Sequence, residues 1–201
     1  MVAERRRGDA DTATRILDVA ERLAQTRGFN GFSYADIAIE LGITKAALHY
    51  HFASKADLGQ ALIGRYAARF GEALAAIDAD TTAAPAKLRG YAGLYADVLR
   101  NERMCLCGML AAEYPTLPGA MQASVVSFFD ENETWLQHVL EQGRSDGSLH
   151  FTGSPRDTAR MIISCLEGAM LVTRPYGDSP RFQDAAASLI TGLTTPAVVQ
   201  G

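Results

Sequence analysis

Apolar residues recur along this chain with the period of a helix rather than that of a strand. Ile16, Val19, Ala20 and Leu23 stand at i, i+3, i+4 and i+7 in a segment that starts near Asp11 or Thr12 and stops at Gly28, a residue suited to the position just past a helix end. The spacing predicts one amphipathic helix of about four turns. Ser33-Tyr-Ala-Asp36 has the capping-box form with Asp in the place of Glu, and Ile37, Ala38 and Leu41 follow before Gly42, which predicts a short second helix. Thr44 caps a third around a single inward residue, Leu48. Ser54-Lys-Ala-Asp57 opens a fourth, expected from about Lys55 to Ile77.

From Asp78 to Ala84 the composition shifts to Asp, Thr and Ala, and Pro85 suits a first helical turn, so a junction is expected there. Beyond it the pattern predicts helices at about Pro85 to Asn101, Met104 to Glu113, Pro118 to Gln142, Pro155 to Val172 and Pro180 to Gly192. Ser154-Pro-Arg-Asp157 combines an N-cap, Pro at N1 and an acid at N3. No run of alternating β-branched residues bounded by turn pairs occurs, and the fold class expected is all-α.

Composition narrows this picture. With 48% hydrophobic and 21% charged residues in 201, the chain reads as globular. No apolar run approaches the roughly 20 residues that cross a bilayer, and Met1-Val-Ala-Glu-Arg-Arg-Arg7 has no apolar segment behind it to make a signal peptide. The expectation is a cytoplasmic protein without a membrane partner. Three Cys, an odd number, are not a disulfide framework and imply reduced thiols. A net charge of -4 argues, at first, against a nucleic-acid partner, because neutralising phosphates needs Lys and Arg.

Two short helices joined through Leu41-Gly42-Ile43 after a longer one have the spacing of a helix-turn-helix. The second presents Thr44, Lys45, Ala46, Ala47, His49 and Tyr50 around Leu48, a surface of small and polar groups suited to a groove. Ala46 and Ala47 let a helix approach base edges and touch a thymine methyl, and Lys45 can reach guanine or a phosphate. Ser33 and Lys55, each at a helix N-terminus, are placed to hold phosphates. The plainer reading is a compact helical subdomain. His49 and His51, at i and i+2, point about 200° apart on a helix and do not form a shared metal site.

The stretches Arg15-Ile-Leu-Asp-Val-Ala-Glu-Arg-Leu-Ala, Gly28-Phe-Asn-Gly-Phe-Ser-Tyr-Ala-Asp-Ile-Ala, Gly42-Ile-Thr-Lys-Ala-Ala-Leu-His-Tyr-His-Phe and Ser54-Lys-Ala-Asp-Leu resemble the DNA-binding domain of TetR-family transcriptional regulators, almost continuously over residues 10 to 62. The resemblance implies that Thr44 to Tyr50 is the recognition helix, that the molecule is a homodimer on a near-palindromic double-stranded DNA operator, and that it represses. It also implies a helix-turn-helix domain over residues 1–54 and a helical bundle over 55–201 for ligand sensing and dimerisation, with the helix from Lys55 leading from one to the other. Recounted by region, the charge is +2 over residues 1–69 and -6 over 70–201, so the acid lies outside the proposed DNA-binding part. Arg5, Arg6 and Arg7 are expected to form a flexible arm.

In the family the last two long helices dimerise. Ile162, Ile163, Leu166, Gly168 and Ala169 on one, with Phe182, Ala185, Ala186, Leu189 and Ile190 on the other, mix small with large residues as close helix contact requires; filling the subunit's own core is the equal alternative. Cys105 and Cys107, two apart, point in nearly opposite directions on a helix, which argues against a metal site or a local disulfide between them. One is expected in the core and the other accessible. Cys105, in the first turn with Arg100 and Arg103 before it, has the setting that favours a thiolate, although inert burial is the commoner state of such a residue.

Cys105-Leu-Cys-Gly-Met-Leu-Ala-Ala-Glu113, Leu117-Pro-Gly-Ala-Met and Leu140-Glu-Gln-Gly-Arg144 are similar to the C-terminal half of the N-ethylmaleimide-responsive repressors within that family, which implies an electrophile- or oxidant-sensing Cys at Cys105. Met104 stands where that group has Gly. A reversibly bound apolar effector is the alternative, with Tyr91, Tyr95, Met109, Phe128, Phe129 and Trp135 as its lining; ordinary core packing accounts for the same residues. A helical Cys-dependent enzyme would need His138 or His150 as base, and no motif links them to Cys105. No enzymatic activity, cofactor or metal is expected.

Overall fold

The computed structural model describes residues 2–194, with side chains described for all of these except 2–9 and 179. Among the described residues there are nine α-helices, two short 3-10 turns and no strand: α1 Val2–Arg27, α2 Tyr34–Leu41, α3 Lys45–His51, α4 Lys55–Asp80, α5 Ala84–Arg100, α6 Leu106–Ala112, α7 Gly119–Ser145, α8 Pro155–Thr173 and α9 Ser179–Thr194. The all-α reading holds element by element. Helix α1 begins at Val2 rather than near Asp11, so Arg5, Arg6 and Arg7 lie on its first turns instead of on an extended arm; their side chains lie outside the described residues. Ahead of Ile16 the helix runs through a stretch rich in Ala and Arg that also holds Gly8, Thr12 and Thr14.

Local chemistry sets the boundaries. Helix α2 ends at Gly42 (φ 65°), where the Ile43 N–H donates to the Ala38 carbonyl at 3.1 Å and the Gly42 N–H to that of Ile39 at 3.3 Å. This paired motif needs a left-handed residue at its centre, which glycine supplies without strain. Ser54 and Asp57 cap α4 reciprocally: the Ser54 N–H donates to the Asp57 carboxylate at 2.9 Å and the Asp57 N–H to Ser54 Oγ at 3.1 Å. Ser154 caps α8 in the same way through the Asp157 N–H at 3.0 Å.

The chain divides into two compact units. The first comprises the described residues up to Ala68 together with Cys105–Val126, the second Arg69–Met104 with the described residues from Ser127 onward. Helices α1, α2, α3 and α6 lie wholly in the first, with the start of α4 and of α7. Its core is built from Ile16, Leu23, Ile37, Leu48, Leu58 and Leu62, each at most 1% exposed. In the second unit α9 packs on both α5 and α8, with Leu88, Leu166, Met170 and Phe182 buried on these helices.

Candidate DNA-binding and sensing sites

Helix α3 buries one residue, Leu48, against α2 and turns its other positions outward. Thr44, Lys45, Ala46, His49 and Tyr50 are exposed, Tyr50 at 74%, and Ala47 is half-buried. An aromatic ring left this bare on a seven-residue helix contributes nothing to the subunit's own core, so it is available to a partner. The Thr44 Oγ1 accepts the Ala47 N–H at 3.1 Å, which fixes the start of α3 and leaves the hydroxyl proton to point outward. Nδ1 of His49 lies 3.1 Å from the Ala53 carbonyl, and its ring sits 4.9 Å from that of Tyr34.

Tyr34 joins α2 to the turn after α3. Its hydroxyl has a single proton to share between two carbonyls, Ser54 at 2.6 Å and Phe52 at 2.9 Å, and burial with the nearby Asp57 charge pushes its pKa up to about 12. Ser33 is exposed at the N-terminus of α2, where its N–H and its hydroxyl both donate to the Asp36 carboxylate at 2.7 Å. Those bonds to Ser33, its hydroxyl first, hold the Asp36 carboxyl below the usual carboxylate range.

Lys55 is placed otherwise than a side chain held out to a phosphate. Its ammonium donates to the Phe29 and Phe32 carbonyls and lies 4.6 and 4.4 Å from the centres of their rings. Burial among these groups pulls its pKa down, against the raising influence of Glu113 and Asp36. On the same turn the Glu113 carboxylate accepts the Phe29 N–H at 2.7 Å and that of Asn30 at 3.2 Å. One loop, from Gly28 to Phe32, is therefore held by an anion from α6 on its donors and a cation from α4 on its acceptors.

Helix α6 carries the two neighbouring cysteines inside this first unit. Cys105 is its N-cap rather than a first-turn residue, and its sulfur accepts the Gly108 N–H at 3.5 Å and the Tyr66 hydroxyl at 3.6 Å. Both cysteines are buried, Cys105 at 1% exposure and Cys107 at 0%, so the expectation that one of them is accessible does not hold: α6 is covered on both sides. The exposed thiol is Cys165 on α8, a position no motif in the sequence singles out. Met109 is half-buried on α6 in this unit.

The remaining candidate sensing residues belong to the second unit. Tyr91 stacks on Trp135 at 5.7 Å and 18° and lies 5.5 Å from Tyr95, and Phe128 meets Phe129 edge-on at 5.4 Å. Phe70, outside the expected set, sits between Tyr91, Tyr95 and Phe128. A buried polar chain runs through the cluster: the Tyr91 and Tyr95 hydroxyls are 3.2 Å apart, and Tyr91 donates to the Asn132 amide oxygen at 3.1 Å. This chain is not legible from the residues alone, since Asn132 looks like any surface residue of α7 until the facing tyrosines are known. Trp135 also donates to Asp78 at 2.9 Å. His138 and His150 are both exposed on this unit. Among the described residues no group of three potential metal ligands occurs, and no helix is long and apolar enough to cross a membrane.

Comparison with known proteins agrees with this geometry. Residues 16–62 match the family of bacterial regulatory proteins of the tetR type, and residues 84–189 match the tetracyclin repressor-like C-terminal domain. A TetR-family transcriptional regulator from Agrobacterium tumefaciens has 32% identity and a TM-score of 0.90 over 93% of this chain and 100% of its own. A TetR regulator from Legionella pneumophila has 34% identity and a TM-score of 0.80 over 89% of this chain and 95% of its own. The transcriptional repressor NemR of Escherichia coli K12 is 24% identical over 94% of this chain and 96% of its own; the crystal structure of the reduced form of E. coli NemR superposes with a TM-score of 0.78. The chain belongs to the TetR family of bacterial transcriptional regulators.

Proposed function

We propose that the protein is a dimeric repressor that reads a near-palindromic operator through α3 and is released when a small-molecule effector acts on its C-terminal part. The observation that carries the reading is α3 itself, a helix anchored by one buried leucine with Lys45, Ala46, His49 and Tyr50 turned outward. Lys45 and Tyr50 contact bases or phosphates, Ala46 and Ala47 allow close approach to the groove floor, Thr44 offers its hydroxyl proton to the DNA backbone, and Ser33 does so on giving up its bond to Asp36. Lys55 acts mainly by shaping the turn that presents α2 and α3. Residues 1–54 are the DNA-binding part, and α4 leads from it into the sensing and dimerising part, residues 55–201.

For the effector, we favour covalent reaction at Cys105. Two hydrogen-bond donors meet its sulfur, the arrangement that stabilises negative charge developing there. The thiolate adds to the β-carbon of an electrophilic alkene, a C–S bond forms as the alkene π bond breaks, and the α-carbon takes a proton from water. The adduct needs volume that a site 1% exposed does not have, so α6 must shift, and Glu113 at its far end then leaves the Phe29 and Asn30 amides. The likeness to NemR supports this reading. The aromatic cluster with its buried Tyr91–Asn132 chain favours the second reading, a reversibly bound apolar ligand. Operator binding in the presence of N-ethylmaleimide, comparing wild type with Cys105→Ser and Cys107→Ser, separates them: loss of response in Cys105→Ser alone supports the covalent route, and unchanged response in it overturns that route.

A further inference from the structure

The C-terminal ends of α5 and α8, both within the second unit, border a pocket of about 360 Å³, a size within the range of small-molecule sites. Arg100 and Arg103 line it from the end of α5, Arg174 from the end of α8, and Glu102 and Asp178 contribute the opposing charges. Helix C-termini draw cations, which accounts for Arg100 and Arg174 without any ligand, and Arg100 also pairs with Asp97. Neither point accounts for Thr173.

Thr173 lines the same pocket at 3% exposure, and its Oγ1 has no hydrogen-bond partner among the described residues. Threonines within helices usually return the hydroxyl to the carbonyl one turn back, as Thr158 does to Ser154 at 3.0 Å and Thr134 to Asp130 at 2.8 Å. A buried hydroxyl without an acceptor is unfavourable unless something else supplies one. The end of α5 carries a residue in an uncommon backbone conformation. Glu102, at φ 56°, is the one non-glycine residue with positive φ among the described residues. It occupies the left-handed position that ends α5, with its N–H on the Leu99 carbonyl at 2.9 Å and that of Arg103 on Val98 at 3.1 Å. A residue that tolerates this conformation poorly is held where the chain wraps Arg103 onto the pocket.

We propose that this pocket is a second effector site, which binds a small molecule through an oxyanion group, phosphate or carboxylate, held by Arg103, Arg174 and the Thr173 hydroxyl. Leu99 and Met104 cover the apolar remainder of the ligand, and Glu102 and Asp178 partly balance the arginine charge around the pocket. The site does not depend on Cys105 being reactive.

Calorimetric titration of the full chain with inorganic phosphate and, separately, with succinate, each at constant ionic strength against sodium chloride, tests the proposal. Saturable binding of phosphate is expected for a phosphoryl ligand and of succinate for a carboxylate. Thr173→Val and Arg103→Ala should each weaken it about ten-fold or more, the worth of a hydrogen bond to a charged group. Thr173→Ser, which keeps the hydroxyl, should retain it, and so should Arg89→Ala, which removes an exposed cation elsewhere on α5. Should Thr173→Val fail to fold, Arg103→Ala against Thr173→Ser decides. No saturable binding of either anion, or equal weakening in Arg89→Ala, overturns the proposal.

Discussion

The Glu113 carboxylate accepts the backbone N–H of Phe29 at 2.7 Å across 84 residues of sequence. It thereby ends α1 from outside. Gly28 leaves the helix at φ 86°, the next two amides have no carbonyl to meet, and a side chain at the far end of α6 supplies the acceptor. Gly28 is needed for space as well as conformation, because a Cβ there would stand 2.5 Å from a Glu113 oxygen. Glu113→Ala strands both amides and should lower stability by about 1–3 kcal/mol, with Tm falling a few degrees per kcal/mol in a chain of this size. Glu113→Gln, which keeps one acceptor, should cost less. Thermal melts of the three proteins check the order.

Burial ranks the three thiols. Cys165 is exposed on α8, whereas Cys105 and Cys107 are at most 1% exposed. A maleimide probe should label Cys165 first in a chain whose α8 face is uncovered, more slowly where a second copy packs on that face, and the α6 thiols only as fast as their region opens. Mass spectrometry at successive times gives the sequence of labelling. Cys165→Ser should leave any thiol-dependent release from DNA intact.

Asp78 couples the single tryptophan to a titration. Burial alone would raise its carboxyl, but the hydrogen bonds from Lys87 and Trp135 outweigh that and hold it below the usual value of about 4. With the folded pKa lowered, the contribution of Asp78 to stability is complete above the unfolded pKa and disappears as pH falls through the folded one. Trp135 emission should therefore titrate with a midpoint below about 4 in wild type and lose that transition in Asp78→Asn. A midpoint at or above the usual value would contradict the bonding described.

The outer face of α8 carries Met161, Cys165, Gly168 and Val172 at i, i+4, i+7 and i+11, with Leu171 beside them at 61% exposure. A side chain on Gly168 meets nothing within 4 Å of its Cβ, so the subunit itself tolerates one. If a second copy packs here, Gly168→Glu should give a folded monomer by light scattering, with operator affinity reduced because one half-site is read at a time. A dimer of unchanged stability would place the interface elsewhere.

How much was legible in the sequence follows from where the information lies. Caps and apolar period are local, and Ser33, Thr44, Ser54 and Ser154 mark helix starts to within a residue or two. Leu48 as the one inward position of α3 was legible for the same reason. The partners of Lys55 and Glu113 were not: a charged residue at a helix end looks identical in sequence whether it faces solvent or a loop many residues away. Nor did Cys105 and Cys107 betray their burial, since opposite directions on a helix leave one exposed only when one side of that helix is uncovered.

The most direct measurement is selection of bound sequences from random duplex DNA by the full chain, followed by affinity measurements at several salt concentrations. A near-palindromic site should emerge, bound by a dimer. Tyr50→Ala should lower affinity at that site about ten-fold or more without lowering the melting temperature, because the ring is 74% exposed. Lys45→Ala should reduce the salt dependence by about one unit per subunit if it holds a phosphate, or relax sequence preference if it holds a base. Failure to enrich any site, or a site bound equally by wild type and both variants, would contradict the assignment of α3 as the reading helix.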